Sequence, residues 1–162
     1  MLQWLLSITP LPPILDLVDS QEQMDLVMVE TQHIKGEKQA LHRIKEISHK
    51  NFKAEICGFL GFDEAQDSYV LQQEENISPE PAVYFLINPL NYLLFKEKYQ
   101  MVAVYHSHIM GNEEPSEFDV KMADNCCQPF LIYSINTKKI NIITPETIEA
   151  DVNILERIKA AL

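Results

Sequence analysis

MVAVYHSH, Met101 to His108, decides the reading of this chain. Apolar and β-branched residues run straight into a pair of histidines, the pattern of a buried strand. Side chains alternate along a strand, so His106 and His108 share a face and Ser107 points away. The next seven residues, Ile109 to Pro115, include Gly111-Asn112, a turn signal. Pro115-Ser116 then reads as a helix entry, with Asp119 in the first turn, able to lean back toward both imidazoles. Two imidazoles and a carboxylate suit Zn2+ at about 2.0–2.2 Å, with a fourth position left for water. Zinc lowers the pKa of such a water from about 15.7 to roughly 7, and a nearby base must then manage the proton.

Each piece also has an ordinary reading. His-x-His alone is a weak metal signal, and Ser116-Glu117-Phe118-Asp119 matches a capping box. The two readings are compatible if Asp119 caps with one oxygen and binds metal with the other. The conjunction at this offset is the specific part. It resembles the JAMM motif of the MPN metallopeptidases: a glutamate, then His-x-His, seven residues, and Ser-x-x-Asp. Ala54-Glu55-Ile56-Cys57-Gly58-Phe59-Leu60-Gly61 is similar to the family's glutamate at the start of a buried strand. The resemblance implies that His106, His108 and Asp119 ligate zinc. It implies that Glu55 carries a proton from water to the leaving amine, and that the Ser116 hydroxyl steadies the oxyanion. The implied activity is hydrolysis of a peptide or isopeptide bond in a protein or peptide substrate, such as a ubiquitin-like protein. The alternative is a catalytically silent interaction scaffold. Such relatives usually lack a ligand, whereas all five positions are filled here.

A wider resemblance runs through Asn76-Ile-Ser, Phe85-Leu-Ile-Asn-Pro89-Leu-Asn-Tyr92 and Gln128-Pro-Phe-Leu-Ile-Tyr-Ser134. These segments look like the JAMM half of phage tail-assembly proteins. That implies a role in tail assembly, or alternatively a stand-alone bacterial peptidase acting on a ubiquitin-like or sulfur-carrier protein. The implied location is the cytoplasm of a bacterial or phage-infected cell, or the virion tail. Ile109 stands where these relatives often have proline, which changes the turn and not the ligands. There is no room for the long insertions by which eukaryotic deubiquitinases grip polyubiquitin.

Composition narrows the partners. The 162 residues, 46% of them hydrophobic, suffice for one domain with an ordinary core. With 13 basic and 24 acidic residues the net charge is −11. That argues against nucleic acid, which needs a basic surface, and against an anionic membrane. Cys57, Cys126 and Cys127 form no disulfide framework, and the adjacent pair lacks Cys-x-x-Cys spacing, so a reducing compartment fits. Cys57 reads as a small core residue. Residues 1–22 are apolar, contain Pro10, Pro12 and Pro13, and lack any Lys or Arg. They read as an extension before a single domain at 23–162, lying over that domain or acting as a self-association arm. They fit neither a secretory signal nor a spanning helix. The oligomeric state is not legible.

The remaining elements follow from periodicity. Met24 to Glu30 reads as a first strand. Gly36 to Asn51 reads as a helix with Ala40, Leu41, Ile44 and Ile47 inward. His42 and His49 share its solvated face, and His33 gives no signal. Glu55 to Phe62, Ser68 to Gln73 and Ala82 to Ile87 read as strands. Leu90 to Gln100 reads as a helix with Leu90, Leu93, Leu94 and Tyr99 inward. Ser116 to Asn125 is the helix beside the histidines, with Phe118 and Met122 on one face. Pro129 to Ile135 and Ile140 to Ile143 form a hairpin. Val152, Leu155, Ile158 and Leu162 give an amphipathic C-terminal helix. The expected class is α+β, an α/β/α sandwich with a mostly antiparallel sheet flanked by helices.

Overall fold

In the computed structural model, which describes residues 30–162, the chain is organised around β4 (Gln100–His108). Every residue of β4 from Met101 to Ser107 is buried. On one side β4 pairs antiparallel with β2 (Cys57–Asp63), and on the other it pairs parallel with β5 (Phe130–Ser134). β3 (Ser68–Glu74) pairs with β2, and β1 (Thr31–Ile34) with β3. β6 (Ile140–Ile143) completes the expected hairpin with β5. Among the described residues the sheet order is β1-β3-β2-β4-β5-β6, and only the β4–β5 pair is parallel.

Helices cover both faces. α1 (Glu37–Ser48) buries Ala40, Leu41, Ile44 and Ile47, the stripe its sequence predicts. α4 (Val152–Ala160) lies on the same face, and both meet Leu60, Leu71, Tyr105 and Tyr133. On the opposite face α2 (Pro89–Lys98) and α3 (Glu117–Cys126) bring Phe95 and Ala123 against Phe59, Val104 and Phe130. Burying a large apolar side chain stabilises by about 1.5–3 kcal/mol. Short helices are marginal alone in water, so this packing is what holds them. The class is α+β, as the sequence implies.

A bulge decides which face the histidines take. Leu60 of β2 sits opposite Ala103, but its neighbour Gly61 sits opposite Met101, so Val102 is an extra residue in β4. Met101 and Val104 therefore pack in one layer, while Val102 and Ala103 both pack in the other. An extra residue flips every side chain beyond it. Unbroken alternation from Met101 would turn Ser107 toward α2 and α3. With the bulge, His106 faces them instead, stacked on Phe85 and edge-on to Phe130.

Several sequence expectations are revised. Residues 82–87 form no strand; the Asn76 side chain gathers the segment. It accepts from the Ser78 and Leu86 N–H groups at 3.0 and 3.1 Å and donates to the Glu55 and Tyr84 carbonyls at 3.0 Å each. Those bonds replace a ladder. β2 begins at Cys57 rather than Glu55. In α2 the inward residue is Phe95, with Tyr92 beside it; Leu93 is exposed and Leu90 and Leu94 are half-buried. Asp151 caps α4 by accepting from the Ile154 N–H, which leaves Val152 in an exposed first turn. The buried stripe is Ile154, Leu155 and Ile158, and Leu162 is exposed. His42 is exposed as expected, but His49 is half-buried with Nε2 2.7 Å from the Tyr133 hydroxyl. The expected strand from Met24, the boundary at 22/23 and the N-terminal arm lie outside the described residues. No described helix is long and apolar enough to cross a membrane.

Gly58 tests the strand packing. A Cβ there would collide with the Gln72 carbonyl and the Tyr105 ring, both parts of neighbouring strands. Gly58→Ala is expected to destabilise by about 1–3 kcal/mol, as overpacking does. Thermal unfolding should show a Tm at least roughly 3 °C lower, and an unchanged Tm would contradict the contact.

Candidate metal centre

His106 is fully buried, its ring stacked on Phe85 with centroids 4.3 Å apart. His108 lies at the open end of β4. Past it the chain turns through Gly111, whose φ of 84° suits a residue without a Cβ. The turn brings the Asn112 carbonyl back to accept from His108 Nδ1 at 2.9 Å. The loop is anchored to the β5–β6 hairpin. Ser134 Oγ donates to the Gly111 carbonyl at 3.0 Å, and Thr137 Oγ1 donates to Glu113 Oε2 at 2.6 Å.

Ser116 then caps α3. Its Oγ accepts from the Asp119 N–H at 3.1 Å, and Asp119 Oδ2 accepts from the Ser116 N–H and Oγ–H, each at 2.7 Å. The capping box is complete. It orients the same carboxylate toward the histidines. Asp119 Oδ1 lies 3.1 Å from His106 Nε2, Oδ2 lies 3.4 Å from His108 Nε2, and the two Nε2 atoms are 3.2 Å apart.

These separations fit a metal. Ligands held tetrahedrally at about 2.1 Å sit about 3.4 Å from one another. The donor chemistry agrees. His108 Nδ1 faces a carbonyl and so carries the ring proton, which leaves Nε2 of the neutral ring as a lone pair. That lone pair points at a carboxylate and another ring nitrogen. Either the His106 Nε2–H or a cation can sit among these groups, and a cation satisfies all three acceptors at once. His106, His108 and Asp119 could therefore hold a metal ion, one candidate ligand atom from each lying within 4.8 Å of the others. Metal-binding histidines usually donate their second N–H to an acceptor. His108 does so, whereas His106 Nδ1 is buried with no partner.

Electrostatics treats the three groups differently. Burial holds His106 below the ordinary histidine range against the pull of Asp119, favouring the neutral form a metal requires. Burial also lowers His108, but Asp119, the Asn112 carbonyl and Glu55 outweigh it and raise the ring. Burial works to raise Asp119. Its bonds from His106, His108 and Ser116 win, and hold it well below the ordinary carboxylate range.

Glu55 is 6% exposed and sits just before β2. Its N–H donates to the Pro81 carbonyl at 2.7 Å. The next residue is tied to the histidine strand: Ile56 N–H donates to Ser107 Oγ and Ser107 N–H donates to the Ile56 carbonyl, each at 2.9 Å. Ser107, turned away from the metal site, thus registers Glu55 against the histidines on either side of it. Burial pushes the Glu55 carboxyl up to about 8, with His108 opposing and Asp119 adding to the rise. The structure brings His106, His108 and Asp119 within reach of one ion, bonds Ser116 to Asp119, and buries Glu55 where it feels the charges of His108 and Asp119. Sequence reasoning missed the positioning residues Asn76, Phe85 and Ser107. Their signals are generic: an Asn-x-Ser turn, one aromatic in a loop and a serine in a strand. Cys57 is buried in β2 with its thiol pushed up to about 12 by burial, and neither Cys126 nor Cys127 belongs to a candidate metal group among the described residues.

Residues 37–146 match the family model described as prokaryotic homologs of the JAB domain. The chain belongs to this JAMM/MPN family. No curated protein matches it. Among solved structures it is similar to the solution structure of protein DSY2949 from Desulfitobacterium hafniense. The identity is 18% and the TM-score 0.48, over 70% of this chain and 91% of that one.

Two measurements test the centre. Purified protein should carry about one equivalent of metal by elemental analysis, and His108→Ala should lose it; stoichiometric metal in that variant would break the ligand assignment. The second uses metal-free protein in chelator. A carboxyl raised to about 8 in the folded state, against 4.5 unfolded, holds its proton more tightly when folded. Its stabilisation is complete below pH 4.5 and lost as pH rises toward about 8, at up to about 1.4 kcal/mol per pH unit. Glu55→Gln should remove about one proton from that slope. Parallel stability–pH curves for the two proteins would refute the assignment.

Proposed function

We propose that this protein is a zinc-dependent peptidase or isopeptidase acting on a protein or peptide substrate. The observation that carries the reading is the convergence of His106, His108 and Asp119 beside a buried, proton-holding Glu55. A bound zinc ion supplies Lewis acidity and brings the pKa of water to about 7. Glu55 is the proton carrier. Its carboxylate takes a proton from the attacking water and returns it to the departing amine. A base works best with a pKa near the operating pH, and burial has moved Glu55 into that region, from which an adjacent cation draws it partly down.

Ser116 is the oxyanion donor in this reading. At rest its hydroxyl donates to Asp119 Oδ2, so it must turn to reach substrate. The Ser116 N–H bond to the same oxygen remains in place and keeps Asp119 oriented. A donor held this close to the ligands needs little reorganisation. Tyr84 packs edge-on against Phe118 of α3, centroids 5.3 Å apart, and is 40% exposed. This pair, of which Phe118 belongs to the helix that carries Asp119, offers an apolar seat for a substrate side chain.

Glu55→Gln is expected to keep its metal and lose roughly 10²–10⁴ in cleavage rate, the usual contribution of a general base. The assay uses peptide and isopeptide-linked ubiquitin-like substrates, with and without chelator. An active Glu55→Gln protein would remove Glu55 from the mechanism. Full zinc occupancy with no cleavage by the unmodified protein would leave an interaction scaffold.

A further inference from the structure

The opposite face of the sheet carries a second feature. A groove of about 440 Å³ runs between α1, the β5–β6 turn and the chain end at Ala161-Leu162. Four lysines line it: Lys38 and Lys45 from α1, and Lys138 and Lys139 from the turn. Lys38 and Lys45 are seven apart and so share one helix face. Lys138 is presented by a residue with φ of 61°, a left-handed position that sharpens the turn. Ile140 and the exposed Leu162 give the groove an apolar lining.

The charge is out of character for the chain. Of 13 basic residues against 24 acidic, four gather in this groove. Among the described residues none of the four makes an ion pair; the pairs that form use other cations. The nearby acids hydrogen-bond or pair with other groups, and Glu113 also feels the charge of Lys139. Glu37 holds Arg157 and Tyr69, Glu46 holds Arg43 and His42, and Glu113 holds Thr137. His42 also lines the groove, beside Glu46. Among the described residues these four lysines line one groove with no ion pair, and an anionic occupant offsets the positive charge they gather there.

We propose that the groove docks an acidic polypeptide segment carrying an apolar side chain between its carboxylates. The lysines match the acidic groups, and Ile140 and Leu162 match the apolar one. A free phosphate would use the lysines and leave the apolar lining empty. A long nucleic acid or an anionic membrane would meet the net charge of −11 on the remaining surface. The groove is separate from the metal centre: Leu41 packs in the α1/α4 layer, whereas His106 packs against Phe85 and Phe130 of the other. The proposal therefore stands or falls independently of the hydrolase reading.

The test is an NMR titration of the full chain with the capped peptide EELEE at low salt. Amide shifts are expected at Lys38, Lys45 and Lys138 to Ile140, saturating with a Kd of about 10–100 μM and weakening at least tenfold in 300 mM salt. The peptide EEGEE should bind at least about fivefold more weakly, because the apolar contact is lost. Lys45→Glu/Lys139→Glu should abolish binding while leaving metal content unchanged. Lys38→Gln/Lys138→Gln, at two exposed positions, should weaken it about tenfold. Absence of shifts in the groove would overturn the proposal. So would equal affinity for EEGEE or inorganic phosphate, or binding only to vesicles of 30% phosphatidylserine.

Discussion

The phase of one strand underlies everything else in this molecule. β4 is bonded on both sides and buried along most of its length, so its side chains cannot choose their face independently. The extra residue at Val102 sets that phase, and it delivers His106 to the side where α3 presents Asp119. The same phase turns Ser107 to the other side, where it bonds Ile56 and registers Glu55. A strand slipped by one residue would keep its hydrogen-bonded ladder and lose the site, because the period of two allows no intermediate.

Asp119 shows how one carboxylate serves structure and chemistry together. Capping and metal binding looked like rival readings of Ser-x-x-Asp. In the folded chain they share the carboxylate: Oδ2 takes both Ser116 donors and lies 3.4 Å from His108 Nε2, while Oδ1 faces His106. The cap fixes the carboxylate's rotamer before any ion arrives, which is the preorganisation a metal site needs. The loop between His108 and Ser116 is held in the same spirit. Gly111 turns it, the hairpin anchors it, and Asn112 fixes the His108 tautomer.

Much of this was legible in the sequence, for identifiable reasons. The histidine pair, the helix entry at Ser116 and the strand from Cys57 each rest on strong local periodicity or on the offset of a motif. The α1 stripe was equally clear because its four apolar residues recur at helical spacing. The failures lie where a side chain from elsewhere overrides the local pattern. Residues 82–87 read as a strand, but Asn76 captures their backbone, and Phe85 turns inward with Ile87 packed beside it. His49 sits on a helix face that reads as solvated, yet Tyr133, far along the chain, reaches it. The bulge at Val102 leaves no mark in a run of small apolar residues, since it is defined by pairing with β2. Glycines, prolines and hydroxyls announce local turns; long-range hydrogen bonds do not.

The central claim is that two imidazoles and one carboxylate meet at a single ion. Zinc-edge X-ray absorption on the purified protein tests it most directly. The account predicts a first shell of two imidazole nitrogens and low-Z oxygen neighbours at about 2.0–2.1 Å, with no sulfur. A spectrum dominated by sulfur at about 2.3 Å, or protein that binds no metal in any preparation, would contradict it.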